Sequence, residues 1–392
     1  MLFRSELGLS SFAKGDLKAA EAAFTESLHL NPGLAGSMVG MAGVAAKKGD
    51  TGQAESYFQK ALAAVPQDPA VQRSWSRYLA SRQRYGEAEA SLKKAIALAP
   101  RVAALPQTEL GDLYLIFLNK PADALRLYRA ALTTDAGSGP AHYGAGSALS
   151  AIGDYAHAEV EFAAAERAMP GDPMPIQARG VVYMMQKRYP AAVQSFTRAL
   201  ALRPDQVYWL MARAEAYEAL GAENKASKDY EACLRVDPKY APAYVKIGVI
   251  HQLHDRFAEA QKAYQSAISI DPKQALAYNN LAFGLAERKE RLDDAVKWAN
   301  KAVELAPESP QFQDTLAWVR RARGELDQAS RILEKATTLK PAQAEVYYHL
   351  GIVYSEQRRT AEAGNALKKA LAMGSLANAE DARQRLARLT PR

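Results

Sequence analysis

Prolines stand at Pro32, Pro66, Pro100, Pro170, Pro204, Pro238, Pro272, Pro307 and Pro341, so that successive intervals are 34, 34, 70, 34, 34, 34, 35 and 34 residues. The interval of 70 holds two units that meet near Ala136, where the proline is missing. A period of this length constrains the fold more than any other property, because it demands one supersecondary element stacked on copies of itself. Residues 239–272 show what that element is. Tyr244, Ile247, Gly248 and His251 share one helical face, Ala260, Tyr264, Ala267 and Ile270 share another, and a polar turn at Asp255 and Arg256 lies between them. Asp271-Pro272 ends the second run, since proline has no amide hydrogen to continue a helix. Neither helix buries its apolar face alone, so each pair must be covered by the next.

The 392 residues exceed what one compact core usually holds. A solenoid grows by adding units, however, and no Gly/Ser-rich or Pro-rich linker divides the chain, so one elongated array is expected. The 48% of apolar residues suffices for a continuous core. The net charge of +7 is dilute over such a length, and its local basic cluster is confined to the end, at Lys368, Lys369, Arg383, Arg385, Arg388 and Arg392. The single cysteine, Cys233, excludes an intramolecular disulfide and falls in the row of Ala165, Ala199 and Ala267, which makes it a small packing residue. No run of 18 apolar residues exists to span a membrane.

The residues that recur in each unit resemble the tetratricopeptide repeat (TPR) pattern of a large residue, Leu-Gly, Tyr, then Ala, an aromatic, Ala and Pro. It is met by Leu7, Gly8, Ala20, Phe24 and Pro32, by Gly180, Tyr183, Ala192, Phe196, Ala199 and Pro204, and by Tyr347, Leu350, Gly351, Tyr354, Ala363 and Ala370. The resemblance implies an all-α fold, an α-solenoid of about 11 helix-turn-helix repeats coiled into a right-handed superhelix. Units end near residues 32, 66, 100, 136, 170, 204, 238, 272, 307, 341 and 375, so the array is expected over 1–375. Ala379, Ala382, Leu386 and Leu389 then recur at helical spacing, and 376–392 reads as a C-terminal capping helix. At the other end, Met1 to Phe3 lead straight into Leu7-Gly8, so the expectation is either a fragment of something longer or a frayed first pair.

Two places break the period. In the fourth unit Asn119-Lys120-Pro121 adds a residue between the helices, and residues 136–140 (AGSGP) then loosen the junction to the fifth, which makes 101–140 the expected point of flexure. The ninth unit carries a second insertion in ERKERLDDA. Together with the tenth it resembles tandem units of bacterial TPR proteins in envelope and exopolysaccharide export systems. Gly36, Gly40 and Gly43 of the second unit let helices approach closely but offer a ligand little to grip.

Catalytic patterns are lacking: there is no phosphate loop, no HExxH and no paired-cysteine metal spacing. Of the six histidines only His251 and His254 are near enough to share a face, and two ligands do not make a metal site. The chain reads as no enzyme, with no cofactor, no metal and no small-molecule substrate. In the family the first helix of each unit lines a concave groove that holds a partner's peptide or helix. Carried onto this chain by phase, the groove positions are Tyr143, Met174, Gln177, Val181, Met184, Tyr208, Met211, Glu215, Val245, Val249, Asn279, Phe283, Asp314, Trp318, Tyr348 and Ile352. The set is rich in aromatics and methionine, residues that recur in binding surfaces, although packing between repeats accounts for them equally. No lysine stands at the fifth places, which argues against a clamp for carboxylate tails. The reading is a non-catalytic protein-binding scaffold in a bacterial assembly, with the periplasm or envelope and the cytoplasm both open as its compartment. Its alternatives are a polyanion or nucleic-acid binder using the basic balance, and a homo-oligomeric scaffold docking through its first unit.

Overall fold

The computed structural model describes residues 2–341, 343–374 and 376–389. Met1 and Arg392, singled out above, and the expected array boundary at Ser375 lie outside them. Among the described residues all regular structure is helical, in 23 α-helices that pair in sequence. The turn inside each pair is chemically explicit. Helix α3 (Ala35–Lys48) closes on Gly49 at φ 83°, and Asp50 then accepts the Gln53 N–H at 2.9 Å to start α4 (Thr51–Ala64). Gly153 and Asp154 do the same between α9 (Gly139–Ile152) and α10 (Tyr155–Ala168). Glycine relieves the left-handed strain and aspartate satisfies an orphan amide, so a Gly-Asp dipeptide is enough to reverse the chain.

Between pairs the proline acts on the residue before it. Asn31, Arg203, Asp237 and Asp271 are extended, with φ between −145° and −132°, because a following proline ring excludes the α region. Asp135 takes the same conformation (φ −140°) without a proline after it. Its carboxylate accepts the Gly137 N–H at 3.1 Å, and the His142 ring bridges Glu161 at 2.7 Å and the Ala136 carbonyl at 3.1 Å. The junction expected to be loose is thus tied by side chains.

The core repeats with the sequence. Eleven alanines of the second helices, from Ala20, Ala54 and Ala88 to Ala329 and Ala363, are all at most 1% exposed. Four residues after all but Ala295 stands a large side chain, and where it is Phe24, Tyr128, Phe162, Phe196 or Tyr264 the first helix places a glycine against its ring. A Cβ on Gly8 would lie 2.5 Å from Phe24, and one on Gly248 would lie 2.5 Å from Tyr264. The Leu-Gly of the repeat therefore marks where an aromatic ring lies flat on backbone. Cys233 occupies its alanine row, fully buried, with its thiol 3.5 Å from the Val207 carbonyl.

The two insertions are absorbed differently. In the fourth unit α7 (Ala104–Asp112) widens into a π-turn over Leu113–Phe117 before α8 (Pro121–Thr134), which pushes Ile116 and Phe117 to the surface, 67% and 49% exposed. In the ninth, Lys289 and Arg291 both take left-handed φ between α17 (Ala275–Arg288) and α18 (Leu292–Leu305). The sequence predicts no boundary, yet the chain divides into two compact units, residues 1–204 and 205–392, at the turn where Pro204 has stopped α12 (Tyr189–Leu202). In the second unit α23 (Ala379–Leu389) buries Ala382 against α22 (Thr360–Ala372) and leaves Arg383 and Arg388 exposed. No described helix is long and apolar enough to cross a membrane.

Candidate partner-binding surface

In the N-terminal unit the phase argument places Tyr143 on α9, and Met174, Gln177, Val181 and Met184 on α11 (Pro173–Met185). Val181 is 42% exposed, whereas Tyr143 packs its ring 5.6 Å from Phe162, and burial pushes its phenol above the ordinary range. Met174, Gln177 and Met184 are half-buried.

Relief lies earlier in the same unit, on helices that the sequence reading passed over. A cleft of about 540 Å3 opens across α1 (Leu2–Ala13), α3 and α5 (Pro69–Ser81), walled by Phe12, Val39, Gly40, Gly43 and Tyr78, with Lys47 and Arg77 at its rim. Gly40 and Gly43 offer no side chain to grip, as expected, and the space beside them is taken by rings of the wall: a Cβ there would lie 2.4 Å from Phe24 and 3.3 Å from Phe12, respectively. A second cleft of the same volume, sharing Arg77 and Ser81 with the first, opens between α5, α6 (Tyr85–Leu98) and the π-turn. Tyr85 and Phe117 stack at 5.0 Å on its side, while Glu109 and Asp112 stand at its floor. Glu109 is held by Arg73 through two contacts of 2.8 Å. Asp112 accepts the Tyr128 hydroxyl at 2.7 Å, and burial, with the Glu109 charge adding to it, raises its carboxyl above the usual carboxylate range against the pull of that bond. The one trace of this cleft in the sequence is the inserted residue at 119–121, beside an Ile-Phe pair that no core needs.

In the C-terminal unit the same positions fare unequally. Tyr208, on α13 (Val207–Ala219), is 75% exposed and meets Tyr240 edge-on at 5.8 Å. Met211, Glu215, Val249 and Phe283 are half-buried, and Glu215 lies 4.0 Å from Lys246. Val245 and Asn279 are buried, the latter with its side-chain oxygen lacking a hydrogen-bond partner. Further along, the side chains engage one another. On α19 (Pro310–Ala322) Asp314 holds His349 Nδ1 at 2.7 Å, and the Trp318 ring stacks on that imidazole at 4.1 Å while its N–H donates to Glu287 at 2.5 Å. Tyr348, on α21 (Ala344–Glu356), donates to Asp381 of α23 at 2.6 Å, and Ile352 is 2% exposed in the same cluster. The C-terminal helix thus covers two positions that the phase alone assigns to an open wall.

His251 and His254 sit in different surroundings. Burial, with Arg256 beside it, pulls His251 below the ordinary histidine range, and its Nδ1 is buried without a partner, while His254 pairs with Glu223. Among the described residues no group of three His, Cys, Asp or Glu side chains is placed to hold a metal ion.

Family models described as tetratricopeptide repeat match residues 11–74, 113–173, 178–241, 245–310 and 344–373, and one described as TPR repeat matches 319–357. The heat-shock protein cognate (HSC) co-chaperone sgt12 of Aspergillus fumigatus is 34% identical over 98 residues, 24% of this chain and 29% of its own length. The TPR repeat-containing protein PA4667 of Pseudomonas aeruginosa is 27% identical over 214 residues, 54% of this chain and 36% of its own. The chain therefore spans well under half the length of these curated relatives. Among solved structures, the APC/C hetero-tetramer Cut9-Hcn1 aligns with 99% of this chain and 96% of its own at a TM-score of 0.53 and 14% identity. A tetratricopeptide repeat protein from Parabacteroides merdae aligns with 62% and 95% at 0.51 and 23%. At such identities the likeness is one of fold.

Proposed function

This chain belongs to the tetratricopeptide repeat family, and from that premise we propose that it is a non-catalytic scaffold holding a protein partner, as a peptide or a helix, against its first-helix walls. The observation that carries the reading is the pair of adjoining clefts, each of about 540 Å3, on α1, α3, α5 and the π-turn. Apolar walls with a few fixed charges are what a partner's side chains require. In the C-terminal unit the reading assigns contact to Tyr208, Met211, Glu215, Val249, Phe283 and Trp318, the groove positions that retain exposure. The proposed setting is a bacterial assembly, in line with the similarity to the Pseudomonas protein, and more finely one of the envelope or of polysaccharide export, which rests on the resemblance of the ninth and tenth units alone.

Leu9 is 54% exposed in the first cleft and Tyr208 is 75% exposed, so Leu9→Glu and Tyr208→Ala alter the walls without opening the core. Each variant is expected to lose a partner that the wild-type chain retains from a bacterial lysate, with unchanged helical circular dichroism. Equal capture by all three proteins rejects the proposal.

A further inference from the structure

We propose that the cleft between α5 and the π-turn of the fourth repeat is a receptor for one lysine or arginine side chain of the bound partner, with Asp112 as its counter-charge. The inference rests on the partner-binding reading above and names the chemistry recognised. Two acids reach this cleft, and only one is spent: Glu109 is bound by Arg73 at 2.8 Å twice and has Arg77 at 3.9 Å. Among the described residues no ion pair reaches Asp112. Its one hydrogen-bond donor there is the Tyr128 hydroxyl, and the charge that acts on it is the like charge of Glu109.

A half-buried carboxylate without a cation is a cost to the fold, and one removed by bringing a positive charge to it. The walls suit the rest of such a side chain. The Tyr85 and Phe117 rings, stacked at 5.0 Å, offer a flat apolar face to methylenes and a π-face to a cation, and Phe117 is 49% exposed only because the helix widens there. At about 540 Å3 the cleft also has room for the flanking residues of a peptide. Arg77, which also lines the cleft, lies 3.9 Å from Glu109 and makes no ion pair with Asp112, and a hard metal ion would lack oxygens, since Glu109 is already engaged.

The test is selection of a displayed random-peptide library on the wild-type chain, on Asp112→Asn and on Phe117→Ala. Asp112→Asn keeps an acceptor for Tyr128, and Phe117 is half-exposed, so both variants retain the fold, which a melting curve verifies. Wild-type binders are expected to share a Lys or Arg at one position, and Asp112→Asn to select peptides without it. For the best synthetic binder, Asp112→Asn and exchange of its basic residue for Gln each weaken affinity about tenfold or more, and the two together little further. Binders without a shared basic residue, or additive losses, overturn the receptor assignment while leaving the scaffold intact. Failure to select any peptide overturns the partner-binding reading and this inference with it.

Discussion

Tyr128 is fully buried and gripped from both sides: a Cβ on Gly111 would lie 2.7 Å from its ring, and one on Gly144, in the next repeat's first helix, 2.3 Å. Its hydroxyl is also anchored on Asp112 at 2.7 Å, so the ring has nowhere to retreat. In Gly144→Ala two effects oppose. Alanine in mid-helix is favoured over glycine by about 1 kcal/mol, whereas overpacking a rigid core costs about 1–3 kcal/mol, with a contact this short at or beyond the upper end. The clash wins, and a net loss of about 2 kcal/mol is expected. Equilibrium urea unfolding followed by circular dichroism reads it as a lower midpoint. Gly86→Ala, near the start of α6 with open space around it, is the control and gains a few tenths of a kcal/mol. If Gly144→Ala is as stable as the wild type, the interlock of ring and glycine is not what joins adjacent repeats.

Three further outcomes are expected. Asp229 holds Arg213 through two contacts of 2.7 Å with both side chains largely buried, so Asp229→Ala removes both of these charge-assisted bonds and costs about 3 kcal/mol, measured by the same unfolding. The Asp112 carboxyl is raised by burial, which means that its contribution favours the fold below the ordinary value of 3.8 and is lost as pH rises through the folded-state value. Asp112→Asn is therefore more stable than the wild type in thermal melts at neutral pH, an advantage that shrinks on acidification. Burial pushes the Cys233 thiol up to about 11, so a disulfide reagent at pH 8 leaves it unmodified in the native chain and reacts once urea unfolds it.

Nearly all of the architecture was legible in the sequence, because a solenoid is made of neighbours. The Gly-Asp turns, the residues before proline, and the alanine, glycine and aromatic rows act within one repeat or between adjacent ones, so their spacing alone states which faces must meet. Accessibility was decided elsewhere. Tyr348 and Ile352 hold groove phase but lie buried in the cluster that α23 completes, and Asp314 is consumed by His349 from the next repeat. The cleft at Asp112 arises because one inserted residue was taken up by widening a helix, where a longer loop would have satisfied the same sequence. Periodicity assigns a side chain its direction, a local property of the backbone. Whether anything stands in that direction depends on the volume left by other helices, which exists only once the chain has packed.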